Sequence, residues 1–131
     1  MNKDWQEATA KGNIEKVRLL LDSGININAK DKYCQTALMN AARAGHVELV
    51  RLLVEKGADL NVTAKYNLSA TMLAVLCNRA NVVQVLAQAG ADLSIQGSNK
   101  VLSLCGKTAR QLAEEAGYSE IVAALKEAGA T

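Results

Sequence analysis

The stretch TALMNAARAGHVELVRLLVEKGADLNV, residues 36–62, decides the fold, because its glycine and leucine positions recur along the chain at one fixed spacing. Its glycine Gly57 has counterparts 33 residues earlier, at Gly24, and 33 residues later, at Gly90. Other positions keep the same step: Gly12 and Gly45, Val17 and Val50, and Leu20, Leu53 and Leu86. A fixed period of this length is typical of repeat arrays, in which one supersecondary unit is copied along the chain.

The 33-residue unit resembles the ankyrin repeat. That family's pattern is a turn, a Thr-Pro-Leu-His-x-Ala helix start, Gly-His, Leu-Leu and Gly-Ala-Asp, and residues 36–62 answer it with TALMNA, GH, LL and GAD. The chain departs from the pattern in one respect, because Ala37, Ala70 and Ala109 stand where the family has proline. The resemblance covers nearly the whole chain and implies an all-α solenoid of helix-turn-helix repeats.

We expect a single ankyrin repeat domain over residues 1–131, since a chain of this length suits one folded unit. Its predicted repeats are 1–29 as N-terminal cap, 30–62 and 63–95 as the two inner repeats, and 96–131 as C-terminal cap with an inserted loop at 96–105. The insertion extends the turn before the last repeat, because Thr108 lies 72 residues after Thr36, six more than two periods. Thr108 and Gln111 form a capping-box pattern, which predicts a helix start there.

The two outer repeats carry polar residues where the inner repeats are apolar. Lys16 replaces the residue found at Leu49, and Arg110 stands where Leu38 does. A terminal repeat needs such a polar face, because no neighbour covers it. We therefore expect each end of the array to be capped by a polar, solvent-exposed face. Trp5 is predicted to pack in the core of the N-terminal cap, in preference to acting as a binding hot spot.

The second helix of residues 30–62 is predicted to be buried except for one narrow stripe. Glu48, Arg51 and Glu55 fall three and four residues apart, and the residues between them are apolar. This spacing places the three charged side chains on one face of the helix.

Charge and cysteine content limit the classes of function. A net charge of +2 is too weak for bulk electrostatic binding to nucleic acid. Cys34, Cys77 and Cys105 form no even disulfide set and no Cys-x-x-Cys pair, which favours reduced thiols in the cytoplasm. No apolar run has the length of a signal-peptide core or of a membrane span. We therefore expect a soluble, cytoplasmic and monomeric protein without membrane contact.

The chain has few residues that could catalyse a reaction or bind a metal. His46 is the only histidine, and the resemblance assigns it to local hydrogen bonding after the inter-helix glycine. It is too isolated for a metal cluster of short ligand spacing, and it is the sole histidine base for a nucleophilic cysteine. The tripeptide GKT at 106–108 is similar to the end of a P-loop, but the glycine required five residues earlier is Val101. We expect no enzymatic activity, no metal and no cofactor.

The resemblance implies that a partner docks on the concave side, at turn tips and exposed positions of the first helices. Carried over by position, the predicted partner-binding residues are Lys32, Tyr33, Gln35, Arg43, Lys65, Tyr66, Leu68 and Leu76. Lys100 and Leu102 of the inserted loop are added, because the insertion lies in the same row as the turns at Lys32 and Lys65. The two tyrosines each follow a lysine one period apart, which makes a strip suited to a protein interface. We expect a partner protein with an acidic segment. The alternative is nucleic acid or another anionic ligand on the same strip, and a thiol enzyme ranks third.

Two turns are expected to be unusual. Cys34 stands where the family's turn has glycine, and a cysteine adopts the left-handed conformation poorly, so that turn is predicted to be reshaped or strained. Asn67 occupies the equivalent place one period later and tolerates that conformation better. In the insertion, Val101 and Leu104 are too apolar for a solvated loop and are predicted to pack inward, beside the binding surface.

Folding is predicted to need neither a metal nor a disulfide, because rows of buried leucine and valine supply the stabilisation. The far-ultraviolet circular dichroism spectrum should keep its helical signal in the presence of a chelator and of a reductant. A cooperative loss of helix with either reagent would contradict this expectation.

Overall fold

The computed structural model describes residues 2–130, so residues 1 and 131 of the predicted domain lie outside it. The described part contains eight α-helices and no strand. The helices are α1 (Lys3–Lys11), α2 (Ile14–Asp22), α3 (Ala37–Ala44), α4 (Val47–Glu55), α5 (Ala70–Leu76), α6 (Ala80–Gln88), α7 (Ala109–Ala116) and α8 (Ser119–Glu127). Odd-numbered helices stack in one row and even-numbered helices in another, and each odd helix packs on the even helix that follows it. The fold is an all-α repeat solenoid, as predicted.

The first helix of each pair begins at a polar side chain. Asn2, Thr36, Ser69 and Thr108 each accept a hydrogen bond from a backbone N–H of the first turn that follows. These N–H groups have no partner within the helix, so each cap contributes about 1 kcal/mol. At α7 the bond is reciprocal, because the Gln111 side chain accepts from the Thr108 backbone at 2.9 Å, which confirms the predicted capping box.

The core lies between the two rows of helices. The first helices contribute many small buried side chains, among them Ala37, Ala41, Ala42, Ala70, Ala74, Ala109 and Ala113, and also the larger Leu38, Met39 and Met72. The buried side chains of the second helices are leucine, valine and isoleucine, among them Leu49, Leu53, Val83, Leu86, Ile121 and Leu125. Trp5 is completely buried, which confirms its predicted place in the core.

The predicted stripe on α4 is confirmed. Glu48, Arg51 and Glu55 are exposed, whereas Val50 and Leu53 are fully buried. The Arg51 and Glu48 side chains form an ion pair of 3.0 Å in solvent. Such a pair contributes only a few tenths of a kcal/mol, so the burial of the apolar positions dominates the stability of this helix.

Hydrogen bonds from the inter-helix links join neighbouring helix pairs. His46 Nε2 lies 3.2 Å from the Ala10 carbonyl oxygen, and since that oxygen only accepts, the imidazole donates. One period later Arg79 Nε donates to the Arg43 carbonyl at 3.1 Å. The expectation that His46 bonds locally was therefore wrong, because its partner belongs to the preceding pair. Gly45 has φ 80°, which favours glycine, and one period later Asn78 takes the same place with φ 55°.

A second set of bonds joins the pairs at the segments that follow the second helices. The Asn28 side-chain oxygen accepts from the Asp59 backbone N–H at 2.8 Å. Asn61 accepts from Asp92 in the same way, also at 2.8 Å. These bonds hold successive repeats in one register, which places their turn tips in a row.

Replacing Leu53 by alanine is predicted to lower the free energy of unfolding by about 2–5 kcal/mol, because it leaves a cavity in the middle of the array. The matched change Glu55→Ala on the exposed stripe should alter it by no more than about 0.5 kcal/mol. Urea denaturation of both variants measures the difference. Equal effects would show that the facing of α4 has been misassigned.

Candidate functional site

A groove of about 990 Å³ lies between the turn at 31–35 and the turn at 64–68. We call it the turn groove. It is lined by Lys30, Lys32, Tyr33, Cys34, Gln35, Arg43, Thr63, Ala64, Lys65, Tyr66, Leu68 and Leu73. Seven of the ten predicted partner-binding residues are in this set, so the structure brings them together as one surface.

The other three predicted residues lie outside the turn groove. Leu76 ends α5 and is 44% exposed. Lys100 and Leu102 are exposed on the inserted segment, and Leu102 is 89% exposed. Their roles in binding stay predictions. Sequence reasoning missed Lys30 in the groove, although it is only two residues before Lys32 in the same turn row.

Both tyrosines of the groove are open to solvent. The Tyr33 side chain is 66% exposed and that of Tyr66 is 39% exposed. The Lys32 ammonium lies 5.2 Å from the Tyr33 ring centroid, and the Lys65 ammonium lies 5.0 Å from that of Tyr66. Each cation–π contact contributes about 0.5–1 kcal/mol at an exposed site. The predicted strip of paired lysine and tyrosine is therefore present as a physical surface.

The charge of the turn groove has one sign. Lys30, Lys32, Arg43 and Lys65 line it, and no carboxylate does. Within residues 2–130 none of the four forms an ion pair. Arg43 interacts electrostatically with the nearby Asp31 carboxylate, and among the described residues the three lysines have no such partner. The cations around this concavity produce a local positive potential that the net charge of +2 conceals.

Asp31 organises the first wall of the groove. Its Oδ1 accepts hydrogen bonds from the backbone N–H groups of Tyr33 at 2.8 Å and Gln35 at 3.0 Å, and its Oδ2 accepts from the Asn40 side chain at 3.2 Å. The backbone closes the turn, since the Cys34 N–H donates to the Asp31 carbonyl at 3.0 Å. The carboxylate therefore ties the tip that carries Tyr33 to α3.

The same contacts shift the titration of Asp31. Partial burial raises the pKa of this carboxyl, but the hydrogen bonds from Gln35, Asn40 and Tyr33, aided by the charge of Arg43, outweigh it. The pKa of Asp31 is consequently lowered below its ordinary value. The ionised form is the one that the turn stabilises.

The second wall repeats this backbone pattern one period later. The Asn67 N–H donates to the Ala64 carbonyl at 3.1 Å, as Cys34 donates to Asp31. Cys34 and Asn67 have nearly equal left-handed angles, φ 62° and φ 61°. Cys34 thus takes the left-handed conformation that a cysteine adopts poorly, in line with the expectation of a strained turn.

Tyr66 departs from that equivalence. It also has a left-handed backbone, with φ 63° and ψ 20°. A left-handed conformation costs a residue with a side chain roughly 1–2 kcal/mol, and it persists only where the surroundings hold it. Sequence reasoning missed this feature, since tyrosine carries no signal for it.

The inserted segment folds back onto the array. Leu104 is buried and Val101 is half-buried against the core, as predicted, while Leu102 points into solvent. The Ser98 N–H donates to the Tyr66 carbonyl at 2.9 Å. The insertion therefore borders the turn groove.

A family model of ankyrin repeats, comprising three copies, matches residues 5–97. The chain belongs to the ankyrin repeat family. The match includes both walls of the turn groove and ends in the inserted segment, so α7 and α8 lie beyond it. A search of curated proteins finds no significant match.

Ankyrin repeats are generally protein–protein interaction modules, and the family is typically non-enzymatic. In the described part of this ankyrin repeat protein, no three histidine, cysteine or acidic side chains are grouped as metal ligands. No helix between residues 2 and 130 combines the length and apolarity needed to cross a bilayer. The site of interest in this ankyrin repeat array is accordingly the turn groove.

Asp31→Asn is predicted to destabilise the protein by about 1 kcal/mol at pH 7, because a neutral amide oxygen is a weaker acceptor than a carboxylate. Since the folded pKa of Asp31 is lowered, its contribution is present above the unfolded pKa of about 3.9 and is lost as the pH falls through the folded value.

Urea denaturation at a series of pH values measures this contribution. The difference between wild type and Asp31→Asn should shrink as the pH falls below about 4. Asp22→Asn, on the exposed face of α2, is the control. A difference that is constant with pH would contradict the assigned role of the Asp31 carboxylate.

Proposed function

We propose that this chain is a non-enzymatic protein-binding module that holds an acidic segment of a partner protein in the turn groove. The observation that carries the proposal is a set of four cations around one concavity with no carboxylate in its lining, namely Lys30, Lys32, Arg43 and Lys65. None of the four is in an ion pair within residues 2–130. Glutamate or aspartate side chains of a partner would complement this potential. Such complementarity raises the rate of association and selects the partner.

The apolar part of the groove suggests where the partner's other side chains bind. Tyr33 and Tyr66 face the groove from opposite walls, and Leu68 and Leu73 lie in its lining. Exposed tyrosines are frequent anchors of binding energy, because they bury a large area at a small cost in side-chain entropy. We therefore propose a partner segment in which apolar residues interrupt the acidic ones. Leu76, Lys100 and Leu102 are proposed as outer contacts of a longer partner.

We also propose that residues 1–131 form one domain, with α7 and α8 as a fourth repeat that caps it. The capping box at Thr108 supports this, as does the left-handed Gly117 between α7 and α8, with φ 77°. Arg110 bonds to the Ala130 carbonyl at 3.0 Å, and Lys126 is exposed, so polar groups occupy the outer side. The three free thiols support a cytoplasmic location, and we propose that the protein is a monomer.

The direct test is binding to a fluorescein-labelled peptide of sequence Glu-Glu-Glu-Leu-Glu-Glu-Leu-Glu-Glu, measured by fluorescence anisotropy. Tyr33→Ala and Tyr66→Ala should each weaken binding by more than about 1 kcal/mol. The melting temperature should remain nearly unchanged, because both rings are exposed.

Two controls identify the interaction. Lys32→Ala and Lys65→Ala should weaken binding, whereas Lys56→Ala, exposed and outside the groove lining, should not. A peptide with lysine in place of glutamate should not bind. A single-stranded oligonucleotide that binds more tightly than the acidic peptide would favour the nucleic-acid alternative. Loss of folding in either tyrosine variant would show that the groove has been misassigned.

A further inference from the structure

The two walls of the turn groove differ in what holds them. The turn at 31–35 has no hydrogen bond to the turn at 64–68 in the described part of the chain, and the groove occupies the space between them. The turn at 64–68 is joined to the segment that follows it. The Ser98 N–H donates to the Tyr66 carbonyl at 2.9 Å, and Asn67 Nδ2 donates to the Gln96 carbonyl at 2.9 Å.

The segment that makes these bonds is itself closed at its base. The Gly97 N–H donates to the Lys107 carbonyl at 2.9 Å, and the Gly106 N–H donates to the Gly97 carbonyl at 3.1 Å. Leu104 packs so closely on Gly97 that a Cβ at residue 97 would lie 2.5 Å from the Leu104 carbonyl oxygen. The inserted segment is therefore anchored both to the core and to the groove wall.

These bonds act on the residue whose backbone most needs support. Tyr66 is left-handed and Tyr33, at the equivalent position, is not. A bulky residue holds such a conformation only where its neighbours specify it. One bond reaches the carbonyl of Tyr66 itself, and the other reaches the side chain of the next residue, Asn67.

We propose that the inserted segment is a brace that fixes Tyr66 in its binding position, with Asn67 as the positioning residue. The proposal rests on the proposed function of the turn groove. A wall that is ordered before the partner arrives does not lose conformational entropy on binding, so the braced wall presents the acidic segment with a preformed aromatic contact. The wall at Tyr33 is held by its own turn and by Asn40 of α3, with no bond from a following turn within residues 2–130, and it adjusts to the partner.

The test compares Asn67→Gly with Asn78→Gly. Glycine allows the left-handed backbone of residue 67 and removes the side-chain donor to Gln96. It also adds backbone freedom, which Asn78→Gly adds equally. Asn78 is an equally suitable control, because its φ is 55° and it lies outside the groove lining. The exchange rate of the Ser98 amide hydrogen, monitored by nuclear magnetic resonance, shows whether the inserted segment stays bonded to the turn at 64–68. Fluorescence anisotropy with the glutamate–leucine peptide measures binding.

In Asn67→Gly the Ser98 amide should exchange at least about fivefold faster, since exchange follows local opening. The peptide affinity should fall at least about threefold. Asn78→Gly should change neither quantity. Gly97→Ala should have the same effects more strongly, with circular dichroism checking that the helices remain.

The outcomes separate the brace from the binding function. Unchanged exchange at Ser98 in Asn67→Gly would overturn the brace, and faster exchange with unchanged affinity would overturn its role in positioning Tyr66. If the wild-type protein does not bind the peptide, the proposed function fails instead. The brace is then judged by Ser98 exchange and by the shift of the Tyr66 ring signals in Asn67→Gly.

Discussion

The stacking of each helix pair on the next is the interaction on which the rest of the structure depends. A single pair leaves one apolar face uncovered, and only a neighbour of the same shape can bury it. Small side chains such as Ala41 and Ala74 allow the first helices to approach closely, and Leu53 and Leu86 fill the space behind them. The turns at 31–35 and 64–68 face each other only because this stacking has a fixed register.

The array stabilises turn tips that would be unfavourable on their own. Exposed tyrosines, a concentration of like charge and left-handed non-glycine residues all oppose folding locally. They lie at the turn tips, away from the buried rows, so their cost does not disrupt the packing of the helices. The bonds of Asn28 and Asn61 between helix pairs lie outside these turns, in the segments that follow the second helices. The residues that stabilise the array and those of the proposed binding surface thus occupy different parts of each repeat.

The sequence predicts the parts of the structure that repeat. A 33-residue step at Gly57 and Leu53 is enough to locate the helices, the buried face of α4 and the row of turns. It also predicts that Tyr33 and Tyr66 share one surface, since equivalent residues of stacked repeats lie side by side. The single departure in length, before Thr108, identifies the insertion without giving its path.

The features that the sequence does not predict depend on contacts between neighbouring segments of the array. The partner of His46 is the carbonyl of Ala10, and its identity follows from the stacking of α1 on α3 and not from any local pattern. The left-handed backbone of Tyr66 likewise has no local signal. The Tyr66 carbonyl and the Asn67 side chain are bonded to Ser98 and Gln96, which belong to a segment with no counterpart in the other repeats.

The bonds between helix pairs also bear on how the chain folds. The side-chain bonds of Asn28, His46, Asn61 and Arg79 join residues 31 or 36 positions apart, and none of them connects the two ends of the chain. Low sequence separation between contacts makes folding rapid, and structure can spread from one unit to its neighbour. A chain leaving the ribosome therefore completes its contacts in the order of synthesis. The turn that carries Tyr66 gains its bonds to Gln96 and Ser98 only when that later segment has emerged.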